Sequence, residues 1–192
     1  MGSEMCIRDS DDPLVIAGQG TVGMEISEQF PENLYAVFVA VGGGGLIAGI
    51  GAYLNKVHPN VKIIGVEAAD SAGLHASVKA GKRIKLKEVG LFADGAAAKQ
   101  IGKNNYELIK NFLDDSITVD TDEICAAVKD TFLETRTVPE PTGALALAGL
   151  KKYIGQKRIK NKNLIATYCG SNLNFESLGH ICLLYTSDAA DE

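Results

Sequence analysis

Between residues 14 and 170 apolar positions recur in two distinct rhythms, and their order predicts strands interleaved with helices. LVIAG (14–18) is a short apolar run that reads as a strand, followed by a helix over GTVGMEISEQF (20–30). YAVFVAV (35–41) is almost continuously apolar, as expected of a strand covered on both faces. Four glycines, Gly42 to Gly45, end it, and LIAGIGAYLNKV (46–57) reads as the next helix. VKIIGVEA (61–68) predicts a further strand and SAGLHASVKAG (71–81) a helix. Residues 82–105 keep no clear period and predict a loop with short elements. NNYELIKNFLD (104–114) reads as helix and SITVD (116–120) as strand. Asp120 followed by Glu123 matches a capping box that opens a helix over 121–136. Pro139 and Pro141 interrupt the pattern before a helix over 142–154, and LIATYCG (164–170) supplies the last strand. The alternation predicts the α/β class: one three-layer unit, with a mostly parallel sheet and helices on both faces.

The outermost residues do not share these rhythms. MGSEMCIRDS (1–10) and CLLYTSDAADE (182–192) are related instead through the genetic code. Cys182 to Ser187 can be written TGT-CTC-TTA-TAC-ACA-TCT, whose reverse complement reads Met5-Cys6-Ile7-Arg8-Asp9 and opens a serine codon. A single DNA element, inverted at the two ends, accounts for both segments; it resembles a transposon end of the kind used in sequencing libraries. Residues 1–10 and 182–192 are therefore read as non-native adapter translation, and residues 11–181 as the native part.

Composition then changes the picture only by exclusion. The formal charge is −5. Without Arg8, Glu4, Asp9, Asp188, Asp191 and Glu192, 18 basic residues face 19 acidic ones. Such a balance gives no electrostatic case for nucleic acid or an acidic membrane surface. Of four cysteines only Cys125 and Cys169 lie in the native part, too far apart and too short of histidine partners for a disulfide framework or a zinc site. No apolar run reaches the roughly twenty residues a transmembrane helix needs. The expectation is a soluble, cytoplasmic protein that handles a small molecule.

The strongest chemical signal is VAVGGGGLIAG. A glycine run between a buried strand and a helix presents successive backbone N–H groups at a positive helix terminus, which suits a phosphate; a Cβ there would block its approach. As a turn alone, four glycines would cost much conformational entropy. The residues leave the kind of phosphate open. Gly43-x-Gly45-x-x-Ala48 also fits a dinucleotide fingerprint, with Glu67 closing the next strand at about the expected spacing.

IAGQGT (16–21), VGGGGL (41–46), VEAADS (66–71), GLFADGAAAK (90–99), EPTGALALAG (140–149) and CGSNLNF (169–175) narrow this choice. Together, and in this order, they resemble the biosynthetic threonine dehydratases, ammonia-lyases of the fold-type II pyridoxal-phosphate enzymes. The resemblance covers nearly all of residues 11–181 and implies the C-terminal part of a catalytic domain with the tryptophan-synthase-β-like fold. It implies pyridoxal 5′-phosphate as cofactor, with Gly42, Gly43, Gly44, Gly45 and Leu46 cradling the phosphate. Cys169 falls where relatives usually carry serine, facing the pyridine nitrogen; on its own it would read as a small buried hydrophobe. Glu140 matches a glutamate that approaches the cofactor ring, although an acid at a helix N-terminus is equally well explained by the dipole.

Other residues carry less. Gln19 and Thr21 could line the site or simply begin a helix, and Asn172 and Asn174 organise the turn after the last strand. Glu67 matches a divalent-metal ligand in related racemases, but the second carboxylate would fall at Gly73, so no such metal is expected. His58, His75 and His180 belong to no motif and read as structural or surface residues, and Cys125 as core. The family's Schiff-base lysine, in a Ser-x-Lys-x-Arg-Gly-type segment, has no match here, so no catalytic residue is assigned. The resemblance implies a parent that converts L-threonine to 2-oxobutanoate and ammonia in isoleucine synthesis and assembles as a homotetramer, with this stretch inactive alone. The competing readings are a serine dehydratase or racemase of the same fold and a dinucleotide-binding oxidoreductase domain.

Overall fold

A computed structural model describes residues 9–30, 32–173, 176, 178–179 and 181–183; Asn174, His180 and most of the two terminal segments lie outside them. Asp12 and Pro13 start the first helix. The Asp12 carboxylate accepts from the Leu14 N–H (2.7 Å) and Pro13 occupies the first turn, so α1 runs unbroken over Pro13–Gln29. The expected strand at 14–18 is thus the opening of this helix. Five apolar residues fit a buried strand or a helix face equally well, and the Asp-Pro start signal decides between them.

The chain then runs β1 (Leu34–Ala40), α2 (Gly45–Val57), β2 (Lys62–Ala68), a 3₁₀ turn (Ala69–Ser71) and α3 (Gly73–Ala80). A second 3₁₀ turn (Asp94–Ala96) precedes α4 (Lys103–Ile109), β3 (Leu113–Val119), α5 (Thr121–Thr135), α6 (Pro141–Lys157) and β4 (Asn163–Ala166). The helix expected over 104–114 stops at Ile109, because its last residues are drawn into β3. The last strand likewise ends at Ala166, leaving Cys169 and Gly170 in the loop beyond it. The capping box forms as its spacing requires: Glu123 N–H donates to Asp120 and Asp120 N–H to Glu123, both at 2.9 Å.

The four strands are parallel, in the order β3-β2-β1-β4. Strand β1 lies inside the sheet, and Ala36, Val37, Phe38 and Val39 are fully buried. Its side chains alternate between two cores. Val37 and Val39 pack with Ile47, Ile50 and Leu54 of α2, alongside Ile16 of α1 and Ile109 of α4. Ala36 and Phe38 face Val128 of α5 and Leu145 of α6. Phe38 meets Tyr153 of α6 edge-on, with ring centroids 5.3 Å apart. The expected three-layer architecture is the observed one.

Two details fix helices onto this frame. Helices α1 and α2 touch backbone to backbone at Gly49, where an added Cβ would stand 2.4 Å from the Ile16 carbonyl and 2.6 Å from the Gly20 nitrogen. Glu67, at the end of β2 and almost fully buried, accepts from the N–H groups of Leu74 and His75, each at 2.7 Å, and so ties down the start of α3. Burial pushes this carboxyl up to about 7 against the opposing pull of those N–H groups.

Gly49→Ala is expected to cost about 1–3 kcal/mol by overpacking. Gly155→Ala, in α6 with open space around it, should stabilise by up to about 1 kcal/mol; urea unfolding of the two variants checks both signs. Glu67→Gln sets an amide NH2 against a backbone donor and should destabilise by about 1–3 kcal/mol. Because the folded-state value lies above that of the unfolded chain, the native state binds the extra proton. The stability contribution of Glu67 therefore falls as pH rises from about 4.3 to about 7. Unfolding at pH 5 and pH 7 should show the wild-type advantage over Glu67→Gln shrinking across that window.

Candidate functional site

The sheet itself designates a place for a ligand. From β1 the chain moves outward through β2 to β3, then returns to pair β4 with the other side of β1. The first two crossovers carry α2, α3 and α4 on one face, and the third carries α5 and α6 on the other. The direction of winding reverses between β1 and β4, and ligands in such sheets bind outside the carboxyl ends of the strands at that reversal. Gly42 to Gly45 follow β1 there, and Cys169 follows β4.

The glycine loop leaves backbone N–H groups open at a helix start. Gly44 caps α2 with φ +97°, and the Ala48 N–H is the first to find a helical acceptor, the Gly44 carbonyl at 3.0 Å. The N–H groups of Gly45, Leu46 and Ile47 precede that bond and point out of the helix start. A Cβ at Gly44 would meet the Ile101 side chain at 2.9 Å, so both the dihedral and the contact demand glycine.

Glu140 and Cys169 come together on the neighbouring loop. Glu140 caps α6; its N–H donates to the Gly170 carbonyl (3.1 Å) and its carboxylate accepts from the Asn172 N–H (3.1 Å). Asn172 thus has the turn-organising contact its position suggests. Burial, and secondarily the charge of Glu140, raise the Cys169 thiol above its ordinary range. The 3₁₀ turn Asp94–Ala96 bridges the two halves. A Cβ on Gly42 would lie 3.0 Å from Ala96 Cα, and one on Gly95 would lie 3.4 Å from a Glu140 oxygen. Beside Gly95, the buried Thr142 hydroxyl has no hydrogen-bond partner among the described residues. Gly42, Gly43, Gly44, Gly45, Leu46, Glu140 and Cys169 therefore share one edge of the sheet.

The remaining candidates lie elsewhere. Thr21 is inside α1, where its hydroxyl bonds the Gly18 carbonyl (2.8 Å), and Gln19 packs where α1 meets α2. His58 pairs with Ser27 (2.8 Å) and His75 with the Ser116 hydroxyl (2.8 Å). Cys125 is core, its thiol pushed up to about 11 mainly by burial. Both Glu67 oxygens serve α3, and no cluster of three or more metal-ligating side chains occurs among the described residues.

No sequence pattern points to what stands behind the glycine loop. Asn105 is fully buried, and its amide donates to the Gly43 carbonyl (2.8 Å) and the Ser10 carbonyl (2.9 Å). The Gly102 N–H also reaches the Gly43 carbonyl (3.0 Å), while Arg83 holds the adjacent Ile101 carbonyl through two bonds. Asp11 accepts from the Lys103 and Asn105 N–H groups at the start of α4, across more than ninety residues of chain. An asparagine near a helix start reads locally as a capping residue, so no local pattern marks these contacts.

Comparison with known proteins gives the family. The chain is 52% identical over 172 residues to a biosynthetic L-threonine dehydratase of Burkholderia multivorans, covering 90% of this chain and 34% of that protein. It is 51% identical over 178 residues to a mitochondrial threonine dehydratase of Schizosaccharomyces pombe, covering 91% of this chain and 30% of that protein. The chain thus spans about a third of the length of these relatives. Its fold superimposes with a TM-score of 0.89 on the processed form of threonine deaminase isoform 2 from Solanum lycopersicum, at 42% identity, covering 91% of this chain and 50% of the other. Residues 3–170 match the family described as pyridoxal-phosphate dependent enzymes. On the strength of that match and these identities, the chain belongs to the pyridoxal-phosphate dependent enzyme family.

Proposed function

We propose that residues 11–181 form part of the catalytic domain of a threonine dehydratase, which converts L-threonine to 2-oxobutanoate and ammonia. The observation that carries this reading is the glycine cradle at the reversal between β1 and β4, in a chain about half identical to threonine dehydratases along nearly its whole length.

The residues present fit pyridoxal 5′-phosphate. Gly42, Gly43, Gly44, Gly45 and Leu46 offer the phosphate backbone N–H groups at a helix N-terminus, with no side chain on Gly42 to Gly45 to stand in the way. When bound, the cofactor supplies an electron sink for the Cα–H bond of the amino acid. Cys169, kept protonated by burial and by Glu140, would offer the ring a neutral partner. Such a partner would leave the ring less electron-withdrawing than a carboxylate would, a setting suited to loss of the β-hydroxyl. Glu140 is held by Asn172 and by its own cap position, which fixes its carboxylate beside Cys169 and Gly170. The lysine that relatives use is not among these residues, so the activity is assigned to the whole protein.

Among the described residues no helix is long and apolar enough to cross a membrane; a small amino-acid substrate and a cytoplasmic location belong to the same proposal. The homotetramer common among relatives is part of the same proposal.

The test is to recover the complete reading frame around residues 11–181, express it with pyridoxal 5′-phosphate, and assay 2-oxobutanoate from L-threonine and pyruvate from L-serine. Threonine turnover is expected, with serine slower, and the 192-residue chain alone should give none. Inactivity of the complete protein toward both amino acids would sink the reading. Racemisation of serine without ammonia release would move the protein to a different reaction of the same fold. In the complete protein, Cys169→Asp should lower turnover by at least about tenfold, since a carboxylate changes the charge facing the ring.

A further inference from the structure

The direction of the Gly43 carbonyl matters to an anion site in the glycine loop. A carbonyl oxygen turned toward a phosphate would repel it, whereas the N–H on the other side of the same peptide would attract it. In a planar trans peptide the two point in opposite directions. Whatever holds the Gly43 carbonyl away from the ligand therefore aims the Gly44 N–H toward it.

Two donors hold that carbonyl, the Gly102 N–H at 3.0 Å and the Asn105 amide at 2.8 Å. The second proton of the Asn105 amide goes to the Ser10 carbonyl at 2.9 Å. Both acceptors are carbonyl oxygens, so the orientation of the amide is unambiguous. The Asn105 oxygen is buried with no hydrogen-bond partner among the described residues. A fully buried amide that leaves its acceptor unsatisfied is held for its two donors. Its Cβ also lies against Gly44, 3.1 Å from where a side chain there would begin. The Asn105 N–H is itself fixed by the Asp11 carboxylate at 2.9 Å.

We propose that Asn105 is a positioning residue for the phosphate cradle. By clamping the Gly43 carbonyl it prevents the 43–44 peptide from flipping and presets the Gly44 N–H for the anion, so the loop need not be ordered when the ligand arrives. The inference rests on the pyridoxal-phosphate reading of the site and adds a residue that lies behind the loop.

The experiment compares pyridoxal 5′-phosphate with pyridoxal, which lacks only the phosphate, as ligands of the complete protein and of two variants, with affinities read from ring absorbance in titrations. Asn105→Leu removes both donors, and Asn105→Thr keeps a single hydroxyl. Asn105→Leu is expected to weaken the phosphate ester by roughly tenfold or more, and pyridoxal by less than about twofold, with Asn105→Thr in between. Equal weakening of the two ligands would show a merely structural residue and overturn the proposal, as would unchanged affinity for the phosphate ester. If Asn105→Leu does not fold, the same comparison in Asn105→Thr decides. Failure of the wild-type protein to bind either ligand would instead refute the pyridoxal-phosphate reading itself.

Discussion

Strand β1 is covered on both faces, and most of the architecture follows from that condition. A strand in this position must be apolar along its whole length, and its backbone must pair on both edges. It satisfies the first demand with side chains that alternate between the two cores, and the second through parallel ladders to β2 and β4. Parallel neighbours require crossovers, and the crossovers supply the helices that cover the faces. The chain then leaves β1 at Val41 and passes at once into glycines, at the point where the winding reverses.

That exit turns a folding solution into a binding geometry. A helix starting directly after a buried strand has N–H groups without helical acceptors, and glycine lets them stand open. Openness alone would leave a mobile loop. The segment from Gly95 to Asn105 lies against it: Ala96 abuts Gly42, Ile101 abuts Gly44, and Gly102 and Asn105 hold the Gly43 carbonyl. The loop is small on its ligand side and crowded behind. Glu140 and Cys169 reach the same edge because α6 begins, and β4 ends, beside that turn.

Two acids show how position reassigns a residue type. At the end of β2, Glu67 could by spacing contact a ribose or a cation, yet both oxygens are taken by the N–H groups that open α3. Glu140, also at a helix start, receives the Asn172 N–H and faces Gly170 with its other oxygen. The same side chain closes one helix end in the core and borders the site at another. Only the surrounding fold distinguishes the two.

Hydrophobic periodicity determined the class, the parallel sheet, the central place of residues 35–41 and the capping box at Asp120 and Glu123, because those depend on neighbours a few residues apart. The glycine run marked a candidate anion site for the same reason: a backbone without side chains between strand and helix has few other uses. The run 14–18 misled, since five apolar residues pack equally well as a buried strand or as one face of α1. Element ends at Ile109 and Ala166 were also beyond local reading, because ladder pairing with a distant strand sets them. The contacts of Asp11 with α4, of Asn105 with Gly43 and of Glu67 with α3 were decided by tertiary structure alone. Each joins a polar side chain to a backbone partner brought to it by the fold, which for the buried Asn105 and Glu67 offsets their desolvation, and sequence distance carries no trace of which partner that is.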